Sequence, residues 1–409
     1  MNVDEFKIAL DSDFFTGVPD SLLSVFCDSL IRQYGNDPSH HVIAANEGNA
    51  VAIAAGYYLS TGKVPVVYMQ NSGEGNAVNP ICSLLHSDVY GIPCLFIVGW
   101  RGEPGKKDEP QHKFQGKITQ QQLNLLDIET FTITVETSVS DLESKLFYFK
   151  SLFKQGKSAA IIVSKDALTS KDPRIKFDNQ FLLLREKAIE TVIENIPSDT
   201  VIISTTGKTS RELFELREKE SVNTLFSLHH KGFCNHKGFC NLDKNEIHSH
   251  DFLTVGSMGH ASSIALGVAL QKPQKNIMCI DGDGAVLMHM GALATIGQSR
   301  VNNFVHVVID NCAHESVGGF PTCSPSVDFS EIAKTCGYQQ AWTVDNESDL
   351  SDVIRTIYFD EKKNEQHGPY FILVKCAQGS RKDLGRPTIP ASVNKLNFMK
   401  MLEEIGEPH

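Results

Sequence analysis

The segment Ile280–Val286, which reads Ile-Asp-Gly-Asp-Gly-Ala-Val, constrains the fold of this chain more than any other part of its sequence. Gly-Asp-Gly directly follows an apolar run, and Asn311 follows the next such run, 28 residues after Asp283. Strands connected through a helix run parallel, so the ends of the two runs meet at one edge of a sheet. We therefore predict an α/β fold in which Asp283 and Asn311 lie close together.

An aspartate beside an asparagine, with glycines that expose backbone N–H groups, suits Mg²⁺ bridged to a diphosphate. Asp283 and Asn311 would bind the metal through side-chain oxygens, and Ala313 would add its backbone carbonyl. Gly284 and Ala285, at the start of the following helix, would offer N–H groups to the phosphates. The alternative is a plain strand–turn–helix connection, which Gly-Asp-Gly alone would favour.

The composition is that of an ordinary globular protein, with 409 residues of which 41% are hydrophobic and 21% charged. A net charge of -11 without a basic run argues against nucleic-acid binding. The sequence has no long uncharged apolar run and no signal-peptide pattern, so we predict no membrane association. Ten cysteines without a Cys-x-x-Cys pair are typical of reduced thiols, which predicts a cytoplasmic protein.

Apolar segments alternate with helix-compatible stretches in both halves of the chain. The predicted strands include 64–69, 94–98, 159–163, 201–204, 277–280, 305–309 and 370–374. A charged, proline-containing stretch at 170–176 has the composition of a linker. We predict a domain at 1–170, a linker at 171–182 and a domain at 183–409, each a doubly wound parallel sheet.

One segment interrupts this alternation, because His-Lys-Gly-Phe-Cys-Asn at 230–235 is repeated at 236–241. The spacing of its cysteines and histidines fits no standard zinc site. We interpret the repeat as a surface-loop insertion, which chains tolerate well.

Two further glycine-containing turns could contact a phosphorylated ligand. Gly207, Lys208 and Thr209 follow a predicted strand and precede a helix, although this turn taken alone favours a simple helix capped by Thr209 or Ser210. The second turn, at 256–259, places Met258 after Gly256 and Ser257 and before another glycine. A methionine there could equally be a core residue in a turn.

In the first half, Glu47 is the one carboxylate in the otherwise uncharged stretch 43–50. Burial of a carboxyl group is costly unless it is paired or protonated, and it raises the pKa of that group. Glu47 is therefore a candidate catalytic residue. The alternative is a carboxylate at a helix N-terminus, stabilised by the helix dipole.

Together these residues resemble the thiamine-diphosphate (ThDP)-dependent 2-oxoacid decarboxylases over nearly the whole chain, and in particular the branch that acts on 3-phosphonopyruvate. The resemblance implies an enzyme that releases CO₂ and phosphonoacetaldehyde in phosphonate biosynthesis. A sulfopyruvate decarboxylase, a ThDP-dependent carboligase and a nucleotide-binding α/β module without ThDP are the alternatives. The stretches that carry the resemblance are 15–21, 45–49, 70–73, 99–105, 108–112, 206–212, 256–261, 310–316 and 384–387.

The resemblance also implies an architecture and a set of contacts. A pyrimidine-binding and a diphosphate-binding domain, without a middle domain, would hold ThDP and Mg²⁺ at a subunit interface of a homo-oligomer. Glu47 would hydrogen-bond to the pyrimidine ring and promote formation of the reactive ylid. Met258 would support the bent cofactor from below. The remaining cofactor contacts implied are Asn71, Gly207, Lys208, Thr209, Gly256, Ser257, Asp283, Gly284, Ala285 and Asn311.

The substrate that the resemblance implies is a small anionic 2-oxoacid. His112 and Asp20 are the candidates for proton handling, although Ser21 could take the position of Asp20. Basic side chains in the loop 101–117, or Arg381, Lys382 and Arg386, could bind the phosphonate. A solvated charged loop and an exposed tail are the respective alternatives.

Two residues depart from the pattern of the family. Glu74 and Cys312 lie in otherwise familiar motifs where we expect other residues. Cys312 lies between two proposed Mg²⁺ contacts, so we expect it to make the site sensitive to oxidation.

Overall fold

The computed structural model describes residues 1–35, 37–230, 247–360 and 368–403, with backbone alone at 222–230. Apart from its first residue, the tandem repeat at 230–241 lies outside the described residues. The chain forms two units, one of Met1–Phe177 with His314–Phe320 and the other of Asp178–Ala313 with Pro321–His409. Within the described ranges, no helix combines the length and apolar character needed to cross a membrane.

The first unit contains a six-stranded sheet with the order β2-β1-β3-β4-β6-β5. All neighbouring strands in it are parallel. Parallel neighbours require crossover connections, and helices fill them. The strands are β1 (Phe15–Gly17), β2 (His41–Ile43), β3 (Val66–Gln70), β4 (Leu95–Gly99), β5 (Glu129–Ile133) and β6 (Ala159–Val163). The helices are α1 (Val3–Leu10), α2 (Ser24–Tyr34), α3 (Glu47–Thr61), α4 (Glu74–Pro80), α5 (His112–Leu125) and α6 (Val139–Phe153).

Helices cover both faces of this sheet, as the strand sequences require. Successive strand residues point to opposite faces, so a strand buried on both sides is apolar throughout. In β3, Val66 and Tyr68 pack into one core while Val67 and Met69 pack into another. The first core includes residues of α1, α2 and α6, and the second includes residues of α3 and α4. This is the doubly wound arrangement that the apolar runs predict.

The second unit contains another six-stranded parallel sheet, with the order β13-β14-β10-β9-β7-β8. Its strands are β7 (Val201–Ser204), β8 (Asp251–Leu253), β9 (Ile277–Gly282), β10 (Phe304–Asp310), β13 (Gln340–Val344) and β14 (Tyr370–Lys375). Two short strands, β11 (Ala313–His314) and β12 (Phe320–Pro321), form a separate pair. The helices are α7 (Arg185–Asn195), α8 (Lys208–His230), α9 (Ala261–Gln271), α10 (Asp283–Met288), α11 (Gly291–Ser299), α12 (Phe329–Cys336), α13 (Glu347–Phe359) and α14 (Ala391–Glu403).

The alternation of buried faces recurs in this sheet. Met278 and Ile280 of β9 pack into one core, and Ile277 and Cys279 pack into the other. Two parallel sheets with helices confirm the predicted α/β class, and the residues that the structure describes contain no third large sheet.

Candidate active site

The predicted site residues of the first unit lie at the carboxyl edge of its sheet. Asp20 follows β1, Glu47 follows β2, Asn71 directly follows β3, and Arg101 follows β4. Ligands of open α/β sheets bind outside the carboxyl ends of the strands. The sheet topology therefore collects these chemically active side chains at the edge where a ligand is expected.

Glu47 is the first residue of α3 and is 4% exposed. Asn46 caps the helix by accepting a hydrogen bond from the backbone N–H of Gly48 at 2.8 Å. Asn76 donates a hydrogen bond to Oε2 of Glu47 at 2.7 Å. Burial raises the pKa of the Glu47 carboxyl, although this hydrogen bond acts to lower it. A Cβ atom on Gly73 would lie 2.3 Å from Oε1 of Glu47, so any side chain there would have to displace the Glu47 carboxyl. Both interpretations of Glu47 drawn from the sequence therefore apply, since it is a buried carboxyl group and also begins a helix.

Asp20 is fully buried, and its carboxyl lies against the end of β4. A Cβ atom on Gly99 would approach Oδ2 of Asp20 to 2.1 Å. The backbone N–H of Leu22 donates to Oδ2 at 3.1 Å, whereas Oδ1 has no hydrogen-bond partner. Burial raises the pKa of Asp20 to about 6, although the nearby Arg101 charge acts in the opposite direction. Asp20 can therefore exchange a proton close to neutral pH.

Arg101 is held by its own loop. Its guanidinium donates to both oxygens of Asp108, at 2.8 and 2.5 Å, and to the Ser21 hydroxyl at 3.0 Å. Burial alone would raise the pKa of Asp108, but the bonds from Arg101 and Gly102 hold it well below its usual range. Ser21 therefore binds the arginine, while Asp20 is the residue with a free carboxyl oxygen.

His112 is half-buried and begins α5. A Cβ atom on Gly102 would lie 2.0 Å from the carbonyl oxygen of His112, so the helix start packs closely on the Arg101 loop. Burial, and then the positive charge of Arg101, lower the pKa of His112 below its usual value. The imidazole is therefore neutral at physiological pH and can act as a base or as a hydrogen-bonding group.

Asn71, predicted as a cofactor contact, is fully buried and bonded inside the unit. Its amide donates to the carbonyl of Arg101 and to the hydroxyl of Thr119, both at 2.8 Å. Its Oδ1 accepts from the backbone N–H of Arg101 at 3.2 Å. Both amide hydrogens are thus used to position the Arg101 loop, and a ligand contact from this side chain would need the second lone pair of Oδ1.

In the second unit, Asp283 follows β9 and Asn311 follows β10. Ile309 pairs with Gly282 in the parallel register, so the two strands end side by side. Both side chains are buried, at 3% and 4% exposure. The backbone N–H of Ala313 donates to Oδ1 of Asn311 at 3.1 Å, which turns the chain back at this edge. The structure therefore brings the predicted ligands to one sheet edge.

The electrostatics of Asp283 fit a cation. Burial and the neighbouring Asp310 charge raise the pKa of Asp283 to about 7. Thr322 donates to Oδ2 of Asp283 at 2.6 Å. Asp310 in turn bonds to Lys375 at 2.5 Å. Carboxylate, amide and carbonyl oxygens, such as the predicted ligands Asp283, Asn311 and Ala313 would offer, are the hard donors that Mg²⁺ prefers.

The two glycine-containing turns of this unit are connected to each other. Ser210, next to Thr209, donates from its buried hydroxyl to the carbonyls of Thr205 and Thr254, at 2.6 and 3.2 Å. Thr254 leads into the turn of Gly256, Ser257 and Met258. Gly207, with φ +93°, allows α8 to begin at Lys208. The predicted contacts on both turns therefore lie along one edge.

The turn at Met258 also packs on the start of α10. A Cβ atom on Gly259 would lie 2.9 Å from the carbonyl oxygen of Ala285. Met258 itself is half-buried, whereas Ser257 is exposed and has φ +54°. The turn that carries Met258 therefore lies beside the start of α10, where Gly284 and Ala285 are found.

Cys312 adopts φ +60°, a left-handed conformation that favours glycine. Burial and then the Asp310 charge raise the pKa of the Cys312 thiol to about 11. A protonated thiol is a poor nucleophile, which argues against the predicted sensitivity to oxidation.

The basic residues considered for phosphonate binding differ in their availability. Arg381 bonds to Glu186 at 2.9 Å and also contacts Glu215. Lys106 pairs with Glu103 at 2.9 Å. The other candidates with exposed side chains are Lys107, Lys113, Lys117, Lys382 and Arg386.

Sequence reasoning missed Asn76, Gln115 and Thr322, which bond to the buried carboxyl groups. Asn76 lies three residues beyond Gly73, in the same short motif, so its position offered a signal. Thr322 lies 39 residues from Asp283, and no local pattern connects them.

Comparison with known families identifies both halves of this arrangement. Residues 9–123 match the N-terminal TPP binding domain of thiamine pyrophosphate enzymes, and residues 235–374 match their C-terminal TPP binding domain. Thiamine pyrophosphate is the same compound as ThDP. The chain therefore belongs to the ThDP-dependent enzymes.

Relatives that match over most of their length indicate the branch of the ThDP enzymes to which the chain belongs. The chain is 34% identical to phosphonopyruvate decarboxylase of Streptomyces viridochromogenes, over 92% of this chain and 88% of the relative. It is 31% identical to the phosphonopyruvate decarboxylase of Streptomyces hygroscopicus, over 91% and 86%. Sulfopyruvate decarboxylase of Methanosarcina acetivorans is 25% identical over 76% of each chain. Within the ThDP enzymes, this chain is a member of the decarboxylase family that includes the phosphonopyruvate decarboxylases.

Proposed function

We propose that the protein catalyses the Mg²⁺- and ThDP-dependent decarboxylation of 3-phosphonopyruvate to phosphonoacetaldehyde and CO₂. Similarity to phosphonopyruvate decarboxylase over 92% of the chain is the observation that carries this proposal. The product would enter the biosynthesis of 2-aminoethylphosphonate or another phosphonate. Loss of CO₂ is effectively irreversible and would draw forward an unfavourable upstream step that forms the phosphorus–carbon bond.

The residues of the first unit suit the pyrimidine end of ThDP. When bound, ThDP supplies a nucleophilic carbon and an acceptor for the electrons released with CO₂. Glu47 would hydrogen-bond to a nitrogen of the pyrimidine ring. Burial raises the pKa of its carboxyl, and its hydrogen-bond partner is the neutral amide of Asn76. Asn71 would act mainly by positioning the Arg101 loop.

The residues of the second unit suit the diphosphate end. Asp283, Asn311 and the carbonyl of Ala313 would hold Mg²⁺, because all three offer oxygen ligands at one edge. Binding of the metal would neutralise the unfavourable burial of Asp283 next to Asp310. Backbone N–H groups of Gly284 and Ala285, with the turns at Gly207 and Gly256, would surround the phosphates.

Proton handling would fall to Asp20 and His112. Asp20 has a pKa of about 6, and the pKa of His112 is lowered by burial. Asp20 can therefore change protonation state close to the working pH, which general acid–base catalysis requires, and His112 would act as a neutral base or hydrogen-bonding group. Exposed lysines near α5, such as Lys113 and Lys117, would attract the phosphonate.

The assembly would be a cytoplasmic homo-oligomer. The family pattern places each cofactor between the pyrimidine-binding domain of one subunit and the diphosphate-binding domain of another. Activity per subunit would then fall on dilution below the dissociation constant of the oligomer. Sedimentation velocity and initial rates, measured over the same concentration range, would test this.

A substrate panel tests the central proposal. The purified protein, loaded with ThDP and Mg²⁺, is incubated with phosphonopyruvate, sulfopyruvate and pyruvate, and both CO₂ and aldehyde are quantified. We expect the highest kcat/KM with phosphonopyruvate and equal amounts of CO₂ and phosphonoacetaldehyde. A preference for sulfopyruvate would refute the substrate assignment, and a condensed product without free aldehyde would indicate a carboligase. Thermal stabilisation by nucleotides but not by ThDP with Mg²⁺ would refute the cofactor assignment.

A further inference from the structure

A second buried carboxyl group lies beside Glu47, on a residue that departs from the family pattern. Glu74 is the first residue of α4 and directly follows Gly73, whose Cα packs against Glu47. The Glu74 side chain is 2% exposed. Position 74 therefore places an acid at the carboxyl edge of the sheet, one residue beyond the contact with Glu47.

The two carboxyl oxygens of Glu74 differ in their surroundings. Gln115 of α5 donates its amide to Oε2 at 3.1 Å and to the carbonyl of Asn71 at 3.0 Å. Oε1 is buried and has no hydrogen-bond partner. A buried polar atom without a partner costs free energy, and a ligand bound at this edge would supply the missing partner.

Glu74 is suited to the neutral form. Burial raises the pKa of Glu74 to about 8, and the Gln115 hydrogen bond opposes this only in part. In the neutral acid, Oε2 can accept from Gln115 while Oε1 carries the proton. The unpartnered oxygen is then a hydrogen-bond donor without an acceptor.

The charged groups on the surrounding elements support the same protonation state. The turn 71–73 and the rest of α4 carry none. On α5, Lys113 and Lys117 are exposed, and His112 is half-buried with a lowered pKa. Glu47 on α3, whose carboxyl lies against Gly73, is a further acid at this edge and provides no positive charge.

We propose that Glu74 is a substrate-binding residue of this active site, which acts as a neutral carboxylic acid and donates a hydrogen bond from Oε1 to an anionic oxygen of the 2-oxoacid. The proposal rests on the decarboxylase function proposed above. A neutral donor attracts an oxyanion without adding charge, whereas an ionised Glu74 would repel it. An apolar residue of similar size would fill the space but leave the oxyanion without this bond.

Three variants separate these possibilities. Glu74→Gln keeps the contact with Gln115 and places an amide N–H group where the acid holds its proton. Glu74→Leu removes the donor and retains similar volume. Glu143→Gln, at an exposed position on α6, serves as the matched control.

Steady-state rates with phosphonopyruvate, from pH 6 to 9.5, provide the first measurement. The raised pKa means that the donor is present below about pH 8 and is lost as the pH rises through that value. Wild type and Glu143→Gln should lose kcat/KM in this interval, and Glu74→Gln should not. At pH 7, Glu74→Leu should lower kcat/KM about 10- to 100-fold, mainly through KM, as expected for a lost hydrogen bond to a charged group. The same alkaline decline in wild type and Glu74→Gln would refute the proposal.

An infrared difference spectrum provides a readout that does not depend on turnover. Wild type minus Glu74→Gln should show the carbonyl stretch of a protonated carboxyl group, which disappears as the pH rises through about 8. Addition of phosphonopyruvate should shift this band, because its proton acquires an acceptor. No such band at pH 7, or a band that the 2-oxoacid does not shift, would overturn the role of Glu74.

Failure of the proposed decarboxylase function and failure of the proposed role of Glu74 would give different results. If wild type releases no CO₂ from phosphonopyruvate, the proposed function fails, and the infrared shift with each 2-oxoacid of the panel still decides the role of Glu74. If wild type is active and Glu74→Leu does not fold, as judged by its thermal transition, the comparison of wild type with Glu74→Gln remains decisive.

Discussion

The carboxyl edges of the two sheets both carry buried acids, but they stabilise them differently. In the first unit, Glu47 bonds to the amide of Asn76, and Glu74 bonds to the amide of Gln115. In the second unit, Asp310 bonds to the ammonium group of Lys375, and Asp283 lies next to Asp310. Neutral amides allow a carboxyl group to keep its proton, whereas adjacent carboxylates require positive charge. The surroundings at the first edge therefore favour protonated carboxyl groups, whereas those at the second edge would suit a bound cation.

The largest expected effect is at Glu47. Glu47→Gln keeps the shape but removes the ionisable carboxyl, so we expect kcat to fall by about 10²- to 10⁴-fold, the range of acid–base catalysis. ThDP affinity should change little, because the proposed diphosphate contacts lie in the second unit. Rates and isothermal titration with ThDP and Mg²⁺ would measure both, with Glu143→Gln as control. An equal loss of ThDP affinity would contradict this division between the edges.

Asp20 tests whether the first edge favours protons. Its folded pKa is about 6, above the ordinary value of 3.8. The folded state therefore binds the proton more tightly, so the contribution of Asp20 to stability is fully present below about pH 4 and is lost as the pH rises through 6. Asp20→Asn should unfold at higher denaturant than wild type at pH 8 but not at pH 4, by up to about 3 kcal/mol. Denaturant titrations at both pH values would measure this, and an advantage independent of pH would contradict it. The same variant should turn over more slowly if Asp20 handles protons.

A substitution at Asp283 tests whether the carboxyl edge of the second sheet binds a cation. Asp283→Ala removes a proposed Mg²⁺ ligand, so we expect the affinities for Mg²⁺ and for ThDP to fall together. Loss of an outer-shell partner lowers metal affinity by about 10- to 100-fold, and loss of a direct ligand should lower it at least as much. Calorimetric titration of ThDP at several Mg²⁺ concentrations would show the coupling. Asp352→Ala, at an exposed position on α13, is the control. Undiminished Mg²⁺ dependence of ThDP binding in Asp283→Ala would remove the metal assignment.

The smallest effect is expected at Cys312, which has φ +60°. A non-glycine residue in this conformation is strained, so Cys312→Gly should relieve strain of about 1 kcal/mol, partly offset by the greater freedom of glycine in the unfolded chain. Chemical denaturation would measure the change, with Cys336→Gly expected to destabilise because it lies at the end of α12. A destabilised Cys312→Gly would show that the thiol makes a contact that outweighs its backbone strain.

The sequence predicted the α/β class and the meeting of Asp283 and Asn311 at strand ends, because apolar runs and their polar termini are local patterns. Glu47 was recognised as a lone carboxylate in an uncharged stretch, and Asp20 through the family resemblance. The tertiary partners could not be predicted in this way. Thr322 reaches Asp283 across 39 residues, and Gln115 reaches Glu74 across 41, so their proximity depends on the whole fold. Asn71 shows the same limit, since its motif is recognisable but its bonds to the Arg101 loop are visible only in three dimensions.

The close approach of Gly73 to Glu47 limits how this protein can change over evolutionary time. Even alanine would bring a carbon to within 2.3 Å of the carboxyl oxygen, so any side chain at position 73 must displace the acid. In a library that randomises position 73 and is selected for growth on the enzyme's product, we expect glycine codons alone to survive. At the neighbouring position 74, by contrast, a single substitution can change the chemical group beside Glu47 without this displacement.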